Sequence, residues 1–208
     1  MALDPAPKAG RFQIDLFQPQ AFVAQYTPDW CVPASMQMMA NLIAPDRIDR
    51  TRETQRKLYV LARQISPWTE TGPGAAIVGW TVGLEQLGYG RFQELADPSM
   101  REALRIMARQ VRFTNKPAGL WVWDGDHAWV VSGFKSTGDP AYTDDFEVTA
   151  VWVEDPWSGR VSSTWGPGRE PHTLLSTTQL RRAWTPFASI HRPQYGEDGM
   201  FVVIAPIA

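Results

Sequence analysis

The chain has a single cysteine, Cys31, among its 208 residues. No intramolecular disulfide can form, so stability cannot depend on an oxidising compartment. Histidine is scarce too: His127, His172 and His191 are widely scattered. One Cys and three dispersed His lack the close paired spacing of a zinc site, so no metal or other cofactor is expected. Basic residues are not in excess, 20 Lys and Arg standing against 22 Asp and Glu, which removes the electrostatic reason to expect nucleic acid. No run of about eighteen apolar residues exists to span a membrane, and the start "MALDPAPKAGRFQIDLFQ" has no basic segment followed by an apolar one. As written, the chain reads as soluble and cytoplasmic. A chain whose export leader had been trimmed would read the same. The oligomeric state stays open.

Repeats and low-complexity tracts are absent as well, and 44% apolar residues suffice for a core. The expectation is a Pro-rich flexible lead over residues 1–11 and one domain over 12–208. "FQIDLFQ" alternates as an edge strand does, ahead of the turn "TPDW". Apolar residues at helical spacing predict a helix from Pro33 to Ile43, a second from Asp46 to Ile65, a third after "TGPG" and a fourth from Pro98 to Val111. Arg47, Arg50, Arg52, Arg56 and Lys57 alternate with Asp46, Asp49 and Glu53 as on a solvated helix face. Beyond Lys116 the pattern turns to strands: "AGLWVWDG", "HAWVVSGF", "FEVTAVWVED", "RVSSTW" and "GMFVVIAPI". The fold class is therefore α+β, a mainly helical N-terminal half packed on a C-terminal antiparallel sheet.

Most cysteines are small buried hydrophobes. Cys31, however, stands at or just before a helix N-terminus, where unpaired N–H groups and the macrodipole favour a thiolate. His172 in "GREPHTLL" and His191 in "SIHRPQY" sit in polar connections and read as surface residues, whereas His127 opens a strand. If that strand forms a hairpin with the one ending at Asp155, pairing 127 with 155 also pairs Trp129 with Val153, Val131 with Val151 and Gly133 with Thr149. The imidazole and the carboxylate then share a face, and the thiol would complete a triad.

These residues resemble those of the papain-like cysteine peptidases, most closely the family-thirty-nine-like branch that includes the bacteriocin leader-processing peptidases. The pattern Q-x5-C-x-P-A-S is matched by Gln25, Cys31, Pro33, Ala34 and Ser35, the strand motif by "HAWVVSG" and the aspartate motif by "VEDPW". The likeness covers residues 20 to 160, in the order Cys, His, Asp. It implies a papain-like fold and hydrolysis of a peptide or protein substrate, with Cys31 as nucleophile, His127 as acid and base, and Asp155 orienting the ring. The Gln25 amide and the Cys31 backbone N–H would form the oxyanion hole. Val32 replaces the glycine common after the nucleophile and Trp30 precedes it, so a bulkier wall than double-glycine specificity requires is expected beside the thiol. Two rival readings stand. An acyltransferase or transglutaminase-like enzyme would use the same triad, and a non-catalytic peptide or glycan binder would use Trp121, Trp123, Trp129, Trp152 and Trp157 as a groove.

Overall fold

The computed structural model describes residues 10–66, 73–188 and 197–208. The elements run β1 (Phe12–Asp15), α1 (Cys31–Ile43), α2 (Arg52–Ile65), α3 (Ile77–Gln86), β2 (Phe92–Asp97), α4 (Met100–Thr114), β3 (Ala118–Val122), β4 (His127–Ser136), β5 (Val148–Glu154), the two-residue strands β6 (Val161–Ser162) and β7 (Gly166–Pro167), β8 (Thr173–Ser176), α5 (Thr177–Leu180) and β9 (Phe201–Pro206). The class is α+β, with five helices and a seven-stranded antiparallel sheet ordered β2-β9-β3-β4-β5-β8. β1 joins through β4, pairing with its second half while β3 pairs with its first.

The sheet is buried on both faces, so its central strands carry apolar side chains at successive positions rather than alternately. Ala128 and Val130 of β4, with Val202 and Ile204 of β9, pack under Val32, Met36 and Met39 of α1 and Trp80 and Leu84 of α3. Trp129 and Val131, with Val203, pack against Leu104, Met107 and Val111 of α4. This corrects the picture of a helical half on a separate sheet: α4 occupies the opposite face from α1–α3, and β1 and β2 from the first half enter the sheet. β2 and β8 escape the sequence pattern because they are edge strands with mostly half-exposed residues.

The second helix starts later than expected, at Arg52, because Asp49 is not part of a charged helix face. Its carboxylate instead accepts from the Thr51 N–H and from the hydroxyls of Thr51 and Thr54, fixing the turn ahead of α2. The arginine stripe of α4 clamps the β4–β5 connection: Arg101 pairs with Glu147, Arg105 reaches the Asp144 carbonyl, Arg109 pairs with the Asp144 carboxylate and Arg112 pairs with Asp139.

α2 and α3 meet where Gly79 lies so close that a Cβ would stand 2.4 Å from the Ala62 carbonyl oxygen. Gly79→Ala is expected to lower the urea midpoint, since overpacking costs about 1–3 kcal/mol against at most about 1 kcal/mol of regained helix propensity. At Gly83 an added Cβ meets only the end of the Met36 side chain, so Gly83→Ala should be neutral or stabilising. Equal midpoints for both variants would show that the helix contact is looser than described.

Candidate active site

The site assembles where the first residue of α1 meets the first residue of β4. Cys31 begins the helix, with Trp30 at its N-cap and Pro33 in its first turn. The early N–H groups of a helix have no partner four residues back, so the backbone N–H groups of Cys31 and Val32 are free of intrahelical bonds. Val32 is fully buried in the core beneath α1, so its side chain does not narrow a cleft beside the thiol. That corrects the expectation of a bulkier wall from this residue. Trp30 stacks on Tyr59 at 5.5 Å.

His127 is buried and its Nε2 lies 2.8 Å from Asp155 Oδ1. The Cys31 thiol lies near enough to the same ring to act on its protonation, and with Nε2 committed to Asp155 the nitrogen left for it is Nδ1. The structure thus brings Cys31, His127 and Asp155 into one chain of contacts. Burial alone would pull His127 down, but hydrogen bonds to Asp155 and Cys31, and the negative charge of both, push it up to about 9. Trp123 stacks on the imidazole at 4.1 Å, Trp165 lies parallel to Trp123 at 6.0 Å, and Trp157 meets the imidazole edge-on at 6.3 Å.

The hairpin register differs from the expected one. Val130 pairs with Glu154 and Val131 with Val153, two residues away from the pairing of 127 with 155, and a bulge falls between Val131 and Gly133. His127 itself pairs with Val122 of β3. The shift is two on the His127 side of the bulge and three beyond it, where Gly133 pairs with Trp152; an even shift preserves the facing of side chains, so His127 and Asp155 stay on one side and meet diagonally.

Asp155 is wholly buried and is held by three donors. Besides His127, Oδ1 accepts the Trp157 N–H and Oδ2 accepts the Arg169 N–H, each at 2.8 Å. The neighbouring Glu154 is also buried. It accepts Ser132 Oγ–H at 2.8 Å and the His172 N–H at 2.7 Å. The two adjacent carboxylates therefore pin both ends of the loop that carries Trp157 and Trp165. His172 is no plain surface residue: half-buried with φ 61°, it lies between Asp15 and Glu154 and stacks on Phe17 at 4.2 Å. His191 lies outside the described residues.

Gln25 is buried, and its position is built by an amide network. Gln55 Nε2 donates to the Ala24 carbonyl, Gln55 Oε1 accepts the Tyr26 N–H, and Gln55 Nε2 also reaches Gln37 Oε1. Between these anchors, Gln25 Nε2 donates to the carbonyls of Thr27 and Pro28 at 2.8 and 2.7 Å. Its amide hydrogens thus brace the turn leading to Cys31, and an oxyanion would have to displace one of those carbonyls. Of the tryptophans considered for a groove, Trp121, Trp123, Trp129 and Trp152 are buried and Trp157 is half-buried. The Trp165 stack and the Glu154–His172–Asp15 group carried no signal in sequence spacing.

Among the described residues no group of His, Cys, Asp and Glu side chains could hold a metal ion, and no helix is long and apolar enough to cross a membrane. No family model, curated protein or solved structure matches the chain.

Burial pushes Glu154 up to about 7, and the charge of Asp15 adds to this while the hydrogen bonds from Ser132 and His172 oppose it. A carboxyl raised above its unfolded value of 4.5 binds more protons folded than unfolded between those values, so it lowers stability as pH rises from about 4.5 to about 7. Glu154→Gln is expected to match the wild type in melting temperature near pH 4.5 and to gain on it steadily up to pH 7. A constant difference across that range would show that Glu154 does not titrate there.

Proposed function

We propose that the protein is a papain-like cysteine peptidase, a thiol hydrolase that cleaves a peptide bond through a thioester acyl-enzyme. The observation that carries this reading is the continuous chain from the Cys31 thiol, at a helix N-terminus, through the His127 ring to the buried carboxylate of Asp155. Each part is arranged as nucleophilic catalysis requires.

His127 takes the thiol proton at Nδ1 and becomes an imidazolium, the form its raised pKa favours at neutral pH. Asp155 holds Nε2 and stabilises that charge, while the Trp123 face supports the ring from one side. The thiolate attacks the carbonyl carbon to give a tetrahedral intermediate, and its oxyanion meets the backbone N–H of Cys31. The imidazolium then protonates the departing amine as the C–N bond breaks, leaving the acyl group on sulfur. Water, deprotonated by His127, attacks the thioester, releases the acid and returns the proton to the thiol. The mechanism calls on no cofactor.

Iodoacetamide labelling at pH 7 tests this reading directly, because the chain has one thiol. Labelling should be at least about tenfold faster in the wild type than in His127→Ala, since the imidazolium that sustains the thiolate is gone. Equal rates in two folded proteins would leave Cys31 a structural residue.

Gln25→Ala separates two roles for the amide. An oxyanion donor acts in the transition state, so kcat should fall about 10²- to 10³-fold with KM unchanged. Loss of the bonds to Thr27 and Pro28 should also lower the melting temperature. A lowered melting temperature with wild-type kcat would assign Gln25 to the turn alone and the oxyanion to backbone donors.

A further inference from the structure

Beside the nucleophile segment lies a pocket of ≈ 470 Å³ lined by Val23, Ala24, Gln25, Tyr26, Arg50 and Arg160. Its floor is a seam between the two parts of the chain that supply the site. The Gln25 N–H donates to the Pro156 carbonyl at 2.9 Å, and Arg160 Nη2 donates to the Gln25 carbonyl at 2.9 Å. The segment running into Cys31 is therefore tied here to the segment leaving Asp155. These bonds tie the pocket's lining to the two segments that carry Cys31 and Asp155.

The lining contains two guanidinium groups and no carboxylate. Among the described residues neither Arg50 nor Arg160 has a carboxylate oxygen within 4.0 Å. Asp49, the acidic neighbour of Arg50 in sequence, is turned onto Thr51 and Thr54. Arg101, Arg109 and Arg112, by contrast, are neutralised by acids of the β4–β5 connection. Arg50 is anchored at its backbone and Arg160 at its guanidinium. Tyr26 Oη donates to the Arg50 carbonyl at 2.8 Å, and the Arg160 guanidinium lies over the Trp157 ring at 5.2 Å. Arg160 uses one donor on Gln25, and a guanidinium has five in a planar fork suited to a carboxylate.

We propose that this pocket is a carboxylate-binding subsite that selects peptides by an anionic group, with Arg50 and Arg160 taking the carboxylate. The proposal rests on the peptidase reading for the identity of the ligand as a peptide. Two sources supply that chemistry, an acidic side chain and a free C-terminal carboxylate.

The test is retention of randomised N-acetylated peptides on immobilised Cys31→Ala protein, read by mass spectrometry, so that no turnover is needed. One arm uses C-terminally amidated peptides and compares Asp and Glu with Asn and Gln. The other omits acidic side chains and compares free with amidated C-termini. The expected result is enrichment of the carboxylate form by about tenfold in one arm, the ratio that corresponds to ~1.4 kcal/mol. Arg50→Gln together with Arg160→Gln, each added to Cys31→Ala, should abolish it. Arg50→Gln alone, at an exposed position, should weaken it severalfold without a folding defect. Lack of enrichment in both arms, or enrichment that survives these substitutions, overturns the proposal. Enrichment without any cleavage by the wild-type protein would sink the peptidase reading and keep the subsite; cleavage by the wild type without enrichment would do the reverse.

Discussion

The rest of the site depends on keeping the carboxylate of Asp155 out of water. A charge removed from solvent is tolerated only when its lone pairs are filled, and Asp155 meets that demand with one imidazole and two backbone N–H donors. Those donors come from β4, from the residue two along the chain and from Arg169 at the far side of a loop. Satisfying one anion therefore fixes the start of a strand, the direction of the chain after β5 and the closure of the loop that brings Trp165 against Trp123. The imidazole then has one nitrogen committed, and the other faces the thiol. Had Asp155 been exposed, water could have filled its lone pairs and none of these elements would have been obliged to converge.

Strain collects on the same side of the ring. Trp123 and Asp124 are consecutive non-glycine residues with φ of 58° and 56°, a conformation that costs on the order of 1–3 kcal/mol each. Three hydrogen bonds hold them there: Trp123 N–H to the Ala183 carbonyl, Asp124 N–H to Thr185 Oγ1 and Ala188 N–H to the Asp124 carbonyl. The turn they form ends β3 and places the Trp123 indole flat on His127. A relaxed turn would aim that indole elsewhere, so the segment from Ala183 to Ala188 supports the imidazole at one remove.

Much of this was legible in the residues. The amphipathic spacing of α1 located Cys31 at a helix start, and parity along β4 and β5 put His127 and Asp155 on a common face. The register itself was not legible, because a bulge falls between Val131 and Gly133 and nothing in "HAWVVSG" marks it. The inference survived because the slip on the His127 side of the bulge was an even number of residues; a slip of one there would have put the imidazole on the other face. β2 stayed hidden because "FQELAD" shows one buried apolar residue at an edge, where half the surface faces solvent. Glu154 and His172 were hidden for a different reason. His172 meets both Glu154 and Asp15, the latter from β1 far away in sequence, and short-range patterns carry no information about such meetings. Arg160 likewise meets Gln25, 135 residues away in sequence, only in the folded chain.

The position of β9 has a consequence for how the molecule comes into being. This strand, the last of the described elements, lies between β2 and β3 inside the sheet. Until residue 206 has been synthesised and has left the ribosome, β2 and β3 have a gap where their common neighbour belongs, and the apolar surfaces beneath α3 and α4 stay open. Pairings so distant along the chain close late. The growing polypeptide thus displays its cysteine for most of its synthesis without the completed sheet that sets the imidazole and carboxylate around it. Completion of the sheet that carries His127 therefore waits for the end of translation of this region.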